Sequence, residues 1–250
     1  ADQSDGIPTG YQSLCDVVAW DDPALYEQLR YRLSQQSYAA IIVESQWPVS
    51  ITLADIQQLA KSSGTLLICD EVFQGLRLHR AGWHGQEGIT PDIACFGKAL
   101  GNGVPVAALV WSNAQTPLDD YAQWISGTFS GDALGLAAAI ATMEVYRRES
   151  IDAHLREIGT HLMTQINALH IEGMECNGWP QHPRIVFGHE KHGNTKNRAL
   201  STQMMNRGHL IHPAGINLMA SHQLSHVEQF ASQLDRAITH MEGDPQHGPY

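Results

Sequence analysis

Residues 66–77 read LLICDEVFQGLR, and residues 92–111 read DIACFGKALGNGVPVAALVW. Both segments open on a short apolar run bounded by polar or turn residues, which is typical of a buried strand. AAIIVE at residues 39–44 has the same character, and VPVAALVW at residues 104–111 forms a fourth run. Strands that are apolar on both faces belong in a sheet that helices cover on both sides.

Helical patterns separate these runs. Apolar residues recur at helical spacing from Pro23 to Gln35, and again after Thr52, a residue suited to a helix N-cap. Gly64 suits the C-cap of this second helix, and a helix rich in Ala and Leu is expected after Gly131. The alternation predicts an α/β domain with a mainly parallel sheet over residues 1–148.

The pattern changes near residue 149. An amphipathic helix is expected over residues 151–170, followed by strands at RIVFG (184–188) and HLIHP (209–213). A last helix carries apolar residues at helical spacing from Val227 to Ile238, and the tail at 243–250 is expected to fray. Residues 149–250 therefore read as a small α+β domain.

The composition excludes several classes of protein. With 26 acidic against 15 basic residues and a net charge of −11, the chain lacks the basic surface that nucleic-acid binding needs. No apolar run approaches the roughly 18 residues of a membrane span, and no secretory leader is visible. The four cysteines form no CxxC pair, which indicates reduced thiols of a cytoplasmic protein rather than disulfides.

The fourteen histidines give no metal-binding motif. None stands in an HExxH arrangement. His182, His189 and His192 lie in a stretch with Gly and Pro, which favours a solvated loop over a metal site. We therefore expect no metal ion.

Two strand ends carry the residues that suggest chemistry. Asp70 and Glu71 follow one apolar run, and Lys98 lies just past the next. Ligands of open α/β sheets bind at the carboxyl ends of strands. Pyridoxal phosphate requires a carboxylate that keeps its pyridine nitrogen protonated and a lysine that forms an imine with it. Alone, Asp70 would more often be a helix cap and Lys98 a solvated lysine, so the hypothesis depends on the pair.

Three blocks extend this pattern. LLICDEVFQGLR, TPDIACFGKALGNGVPVAALV (90–110) and SGTFSGDALGLAAAIATMEVY (126–146) resemble, in order and spacing, successive blocks of the class III pyridoxal-phosphate aminotransferases. Within that group the chain most resembles the glutamate-1-semialdehyde aminomutase branch. The resemblance implies pyridoxal 5'-phosphate as cofactor. It also implies the aminotransferase-type three-layer α/β domain (fold type I), of which residues 1–148 are the C-terminal part.

The resemblance also implies roles for single residues. Asp70 matches the aspartate that pairs with the pyridine nitrogen, Val72 the residue that packs on the ring, and Lys98 the Schiff-base lysine that also shuttles protons. Thr128 matches a threonine that reaches the cofactor phosphate in the neighbouring subunit's site, which implies a homodimer. Glu44 matches a glutamate on the substrate side. As isolated residues, these last two would read as a turn hydroxyl and a strand-end charge.

Two departures from the family limit what the resemblance implies. ESQWPVS (44–50) stands where the family usually reads EPVAGN, and SGDAL (130–134) replaces SGNPL. In addition, the family has an N-terminal part with a phosphate-binding loop and a ring-stacking aromatic, which we do not find here. Either a second polypeptide supplies it, or the sequence is a fragment, or the protein is a shortened, inactive relative.

We therefore expect a pyridoxal-phosphate-dependent aminotransferase or aminomutase that acts on a small amino or keto substrate. The alternative is one half of a split enzyme, or a non-catalytic relative that keeps the fold. Transferase and mutase use the same catalytic residues, so the sequence does not separate them. Arg77, Arg80 and Arg184 could hold a substrate carboxylate, although each is more often a surface or ion-pair residue.

Overall fold

The larger sheet contains the four predicted strands, in their order along the chain. The computed structural model describes residues 6–35, 37–45, 51–112, 126–188, 195–213 and 215–242. The sheet contains β1 (Ala40–Glu44), β2 (Leu66–Asp70), β3 (Ile93–Phe96) and β4 (Ala108–Trp111), in that order. The first three strands are parallel, and β4 is antiparallel to β3.

The direction of β4 has a simple cause. Parallel neighbours need a crossover of a dozen or more residues, usually a helix. The link between β3 and β4 contains only the 3-10 turn Lys98–Leu100. This short link returns the chain antiparallel, and the fourth strand begins at Ala108 rather than at the predicted residue 104.

The helices begin and end close to their predicted bounds where caps are clear. They are α1 (Thr9–Gln12), α2 (Leu25–Gln35), α3 (Leu53–Ser63), α4 (Gly75–Leu78), α5 (Gly82–Gln86), α6 (Ala133–Arg148), α7 (Ile151–Asn167), α8 (Thr195–Met205) and α9 (Leu224–Glu242). Thr52 Oγ1 accepts from the Asp55 amide at 3.1 Å, and Asp55 Oδ2 accepts from the Thr52 amide at 3.0 Å. This capping box opens α3, and Gly64 closes it in the left-handed conformation.

Only one face of the sheet is well covered within the described residues. Leu67 and Cys69 point into a core that includes Leu53 and Ile56 of α3. Side chains alternate along a strand, so Ile42 points to the opposite face, where it is 69% exposed. The sheet thus carries an apolar surface that these residues leave open.

A second core lies in the C-terminal part of the chain. The antiparallel hairpin β5 (Met174–Trp179) and β6 (His182–Phe187) packs with α7, α8 and α9. This arrangement matches the predicted α+β character, although the division at residue 149 stays a prediction. Tyr146 on α6 donates a hydrogen bond to the Leu76 carbonyl and so links α6 to α4. The predicted fraying of 243–250 lies outside the described residues.

One prediction for this part is wrong, and two elements were missed. Residues 209–213 form no strand, and only an isolated bridge joins His212 to Gly215. β5 and α8 were not predicted. MECNGW contains Asn and Gly, which are depleted in strands, and Gly178 has a φ of 95°, so the pairing with β6 forms this strand rather than its own propensity.

His182 does not lie in a solvated loop as predicted, because it belongs to β6 and is only 9% exposed. His189 and His192 fall outside the described residues. Within the described ranges, no group of three or more His, Cys, Asp or Glu side chains is placed to hold a metal ion. No helix there is long and apolar enough to cross a membrane.

Candidate functional site

The carboxyl ends of β1, β2 and β3 meet at one edge of the sheet. Glu44 pairs in register with Asp70, and Asp70 pairs with Cys95. Register partners in a parallel sheet point to the same face, so Glu44 and Asp70 share a face. The structure therefore brings these two predicted site residues together, both half-buried.

The Asp70 carboxylate is held in a fixed direction. Its Oδ1 accepts a hydrogen bond from the Val72 amide at 2.9 Å, an Asx-type turn at the end of β2. Within the described residues, the second carboxylate oxygen has no hydrogen-bond partner. Asp70 is thus oriented by backbone and keeps one oxygen for a ligand.

Glu71 points the other way and plays a different part. Its side chain is fully buried. Its oxygens accept from the Trp83 amide at 2.8 Å, the His84 amide at 2.9 Å and the His84 ring at 2.8 Å. These contacts fasten α5 to the end of β2, which makes Glu71 a structural carboxylate.

Lys98 lies in the turn that follows β3. Its φ is 43°, a left-handed conformation that is uncommon for a residue other than glycine. The turn is tight because a Cβ at Gly101 would overlap the Val104 carbonyl oxygen. Lys98 is exposed, and its Nζ lies 5.0 Å from the centre of the Phe73 ring. Strained backbone of this kind often occurs at functional sites.

Val72 lies between the two strand ends. A Cβ added at Gly97 would stand 3.4 Å from Val72 Cγ1, so the residue preceding Lys98 packs closely on this valine. Val72 is half-buried, which leaves part of its surface open to a ligand. Its position between Asp70 and Lys98 suits a residue that packs against a flat ring held by both.

Thr128 stands apart from this group. It lies in the exposed turn that precedes α6, next to Phe129, which is 82% exposed. Within the described residues the Thr128 hydroxyl has no hydrogen-bond partner. The structure thus does not bring Thr128 to Asp70 and Lys98 in this chain, and its role toward a neighbouring subunit stays a prediction.

Sequence reasoning missed Phe73 as a site residue. Its ring contacts Lys98 Nζ, and Arg77 Cζ lies 5.7 Å from the ring centre. His182 meets the ring edge-on at 4.9 Å. The position directly after Asp-Glu-Val was the available signal for Phe73. Nothing in the local sequence pointed to His182, which arrives from a different part of the fold.

Of the three arginines considered for a carboxylate, only Arg77 lies beside the lysine turn. Arg77 lines a cavity of about 640 Å³ together with Ala99 and Asn102. Its Nη1 donates to the Leu218 carbonyl at 2.6 Å, and burial lowers its pKa. Arg80 is exposed, and Arg184 Nε donates to Asn177 in the β5–β6 hairpin.

The two thiols near Asp70 are poor nucleophiles. Burial raises the pKa of Cys69 to about 12. Burial and the charge of Asp70 raise the pKa of Cys95. Because the thiolate is the reactive form, neither cysteine is expected to act as a nucleophile at neutral pH.

Comparison with known proteins decides the family. The family model "Aminotransferase class-III" matches residues 24–237. The chain belongs to the class-III aminotransferases. The resemblance inferred from the three sequence blocks is thereby confirmed.

Curated class-III relatives include glutamate-1-semialdehyde 2,1-aminomutases. The chain is 35% identical to the one from Deinococcus deserti over 157 residues, which are 58% of this chain and 34% of that protein. It is 33% identical to the one from Desulforapulum autotrophicum over 176 residues, 64% of this chain and 40% of that protein. The chain thus spans between a third and two fifths of the curated relatives it matches.

Solved structures confirm the aminotransferase fold of this class-III chain. The PLP internal aldimine form of the Sphingopyxis sp. MTA144 FumI protein matches with a TM-score of 0.79 and 23% identity, over 96% of this chain and 60% of that one. A glutamate-1-semialdehyde aminomutase from Pseudomonas aeruginosa PAO1 matches with a TM-score of 0.76 and 21% identity, over 90% and 56%. The predicted three-layer α/β fold, carried in part by this chain, is therefore confirmed.

Proposed function

We propose that this chain carries the lysine and the aspartate of a pyridoxal-phosphate-dependent aminotransferase or aminomutase. The observation that carries the proposal is the placement of Asp70 and Lys98 after neighbouring parallel strands, with Val72 between them. Membership of the class-III family and the relatives that are aminomutases support it.

The residues present fit pyridoxal phosphate. Asp70 offers a carboxylate oriented by the Val72 amide, with one oxygen left for a protonated ring nitrogen. Lys98 offers an exposed primary amine that forms no ion pair within the described residues. Pyridoxal phosphate, a pyridine aldehyde, requires a carboxylate, an amine and an apolar side chain between them.

Each residue would act through a stated atom. Bound pyridoxal phosphate supplies an electron sink for the charge that develops at the substrate carbon. The Asp70 carboxylate holds a proton at the ring nitrogen, because its negative charge favours the protonated form. Lys98 Nζ would hold the cofactor, and the same amine would accept a proton from the substrate carbon and return it. Glu44 faces the substrate side of the same edge.

We propose that the active form needs a partner. The apolar side chains of Ile42, Leu134 and Ile140 are 69%, 67% and 61% exposed. Exposed apolar patches of this kind mark interfaces. The partner is either a second copy, toward which Thr128 would reach the phosphate, or a polypeptide equivalent to the unmatched part of the relatives. A non-catalytic relative would leave Asp70 and Lys98 without a role.

The substrate proposal is a small amino or keto compound. Glutamate-1-semialdehyde 2,1-aminomutase is the name of the two curated relatives described above. Of the first segment that departs from the family sequence, ESQWPVS (44–50), residues 46–50 lie outside the described residues. In the second, SGDAL (130–134), Asp132 caps α6 by accepting a hydrogen bond from the Gly135 amide. We also propose a cytoplasmic location, which the four free cysteines support.

One experiment tests the proposed function. Pyridoxal phosphate is added to the chain alone, and to the chain mixed with a separately expressed N-terminal part of a relative. A visible absorption band that is absent in Lys98→Ala supports the proposal, and a band only in the mixture shows that cofactor binding needs the N-terminal part. Absence of a band in both preparations, or an unchanged band in Lys98→Ala, contradicts it.

A further inference from the structure

The Lys98 amine has one defined contact within the described residues. Its Nζ lies 5.0 Å from the centre of the Phe73 ring. A cation at this distance over an aromatic face is attracted by the negative charge density of the ring. The lysine side chain has four rotatable bonds and is exposed here, so this contact is what gives the amine a preferred place.

Phe73 is itself held by the C-terminal part of the chain. The His182 ring meets it edge-on, with centroids 4.9 Å apart and an interplanar angle of 79°. Arg77 lies on the same ring at 5.7 Å and is fixed by its bond to the Leu218 carbonyl. The Phe73 ring is therefore supported by Arg77 of α4 and by His182 of the β5–β6 hairpin.

His182 suits this supporting place because it is uncharged. Burial and the neighbouring Arg77 lower its pKa to about 4. Two cations already contact the Phe73 ring, and a third at its edge would be repelled by both. Gly215 fixes His182 from behind, since a Cβ at this glycine would overlap the imidazole ring.

We propose that Phe73 is a positioning residue that holds the Lys98 amine at the Asp70 edge of the sheet, with His182 holding the Phe73 ring. The proposal rests on the proposed function of Lys98 as the cofactor lysine. The contact confines the ammonium form, and loss of its proton to solvent gives the neutral, reacting amine at this edge. Such an amine reacts faster than one that samples many rotamers, because part of the ordering cost is already met.

The contact can be measured without the cofactor. The chain has four lysines, so reductive methylation with ¹³C-formaldehyde gives few NMR signals, and Lys98→Arg assigns that of Lys98. We expect an upfield ring-current shift for Lys98 that persists in Phe73→Tyr and disappears in Phe73→Leu. A Lys98 signal at the position of a solvated lysine in the unsubstituted chain overturns the proposal. So does an upfield shift that survives in Phe73→Leu.

The consequence for reactivity is measured in the cofactor-binding preparation. We expect Phe73→Leu to slow the appearance of the visible band roughly tenfold or more, with Phe73→Tyr within about twofold of the unsubstituted protein. Equal rates for Leu and Tyr overturn the proposal. Phe73→Met, which has no ring and whose flexible side chain adapts to an irregular site, replaces Phe73→Leu if circular dichroism shows that the leucine variant does not fold.

The two proposals fail in different ways. If the proposed function is wrong, no band appears or the band persists in Lys98→Ala, whereas the NMR shift still tests the contact between Lys98 and Phe73. If only the positioning role is wrong, the band appears in the unsubstituted protein and is lost in Lys98→Ala, but it does not respond to loss of the Phe73 ring.

Discussion

Asp70 and Glu71 are neighbouring carboxylates with opposite environments. Successive side chains of a strand point to opposite faces, so Asp70 reaches the open edge and Glu71 enters the core. Asp70 keeps one oxygen for a ligand, whereas Glu71 accepts three hydrogen bonds from α5. One residue step along the chain thus separates the carboxylate proposed for cofactor binding from one that holds the fold.

For Asp70 we predict a loss of function without a loss of fold. Asp70→Asn keeps an oxygen for the Val72 amide and removes the negative charge. The turnover of the reconstituted enzyme should fall roughly 10²–10³-fold, the usual cost of removing one electrostatic stabiliser from an active site. Thermal melting of the variant checks the fold. A variant with turnover close to that of the unsubstituted enzyme would refute the role of Asp70.

For Glu71 we predict the reverse. Glu71→Ala leaves the amides of Trp83 and His84 buried without an acceptor, which should lower the free energy of unfolding by about 3–5 kcal/mol. Glu71→Gln keeps one acceptor oxygen and should lose less. Urea denaturation gives both values. A loss of less than about 1 kcal/mol for the alanine variant would show that this bonding does not hold α5.

At the scale of elements, the sequence predicted the helices and strands whose formation depends on residues close together in the chain. The three parallel strands and α3 follow from apolar runs and caps that lie within a few residues. β5 escaped prediction because its Asn and Gly disfavour a strand and only the pairing with β6 imposes one. The candidate site shows the same limit. The positions of Asp70 and Lys98 could be predicted because each follows a strand, whereas His182 contacts Phe73 only because the hairpin packs there.

The packing of α7 against the hairpin gives a test at this scale. A Cβ at Gly159 would overlap the Pro180 carbonyl oxygen, which is backbone and cannot move aside. Gly159→Ala should therefore lower the free energy of unfolding by roughly 2 kcal/mol or more, despite the better helix propensity of alanine. Gly10→Ala in α1 is the control, because nothing lies within 4 Å of its Cβ. Urea denaturation that gives equal values for the two variants would contradict this packing.

At the scale of the whole molecule, few but specific contacts join the two cores. Trp179 Nε1 donates to Ser45 Oγ at 2.9 Å, and Gln181 Nε2 donates to the Leu78 carbonyl at 3.2 Å. With the bond from Arg77 to Leu218, they place the end of β2 against the hairpin and the segment near residue 218. The site therefore depends on how the two parts meet, which no local pattern encodes.

His182 makes this junction sensitive to pH. Its pKa is about 4 in the folded chain against 6.5 for an ordinary histidine, so the unfolded state binds the proton more readily. The contribution of the uncharged His182 ring to the free energy of unfolding is complete above about pH 6.5 and is lost as the pH falls toward 4. Between pH 7 and pH 5, His182 should account for a loss of about 2 kcal/mol.

Urea denaturation of His182→Asn at both pH values checks this prediction. The variant should lose much less stability between pH 7 and pH 5 than the unsubstituted chain. A smaller dependence remains, because burial also lowers the pKa of His209 and of His222. An identical pH dependence in the two proteins would exclude His182 as its main source.

The site of cofactor attachment tests the central claim most directly. The protein is mixed with pyridoxal phosphate, reduced with borohydride, digested and mapped by mass spectrometry, with the complementary polypeptide added if it is needed for binding. We predict the pyridoxyl group on Lys98, with Lys61 and Lys196 unmodified at stoichiometric cofactor. A pyridoxyl group spread over several lysines, or located on a lysine other than Lys98, would contradict the account.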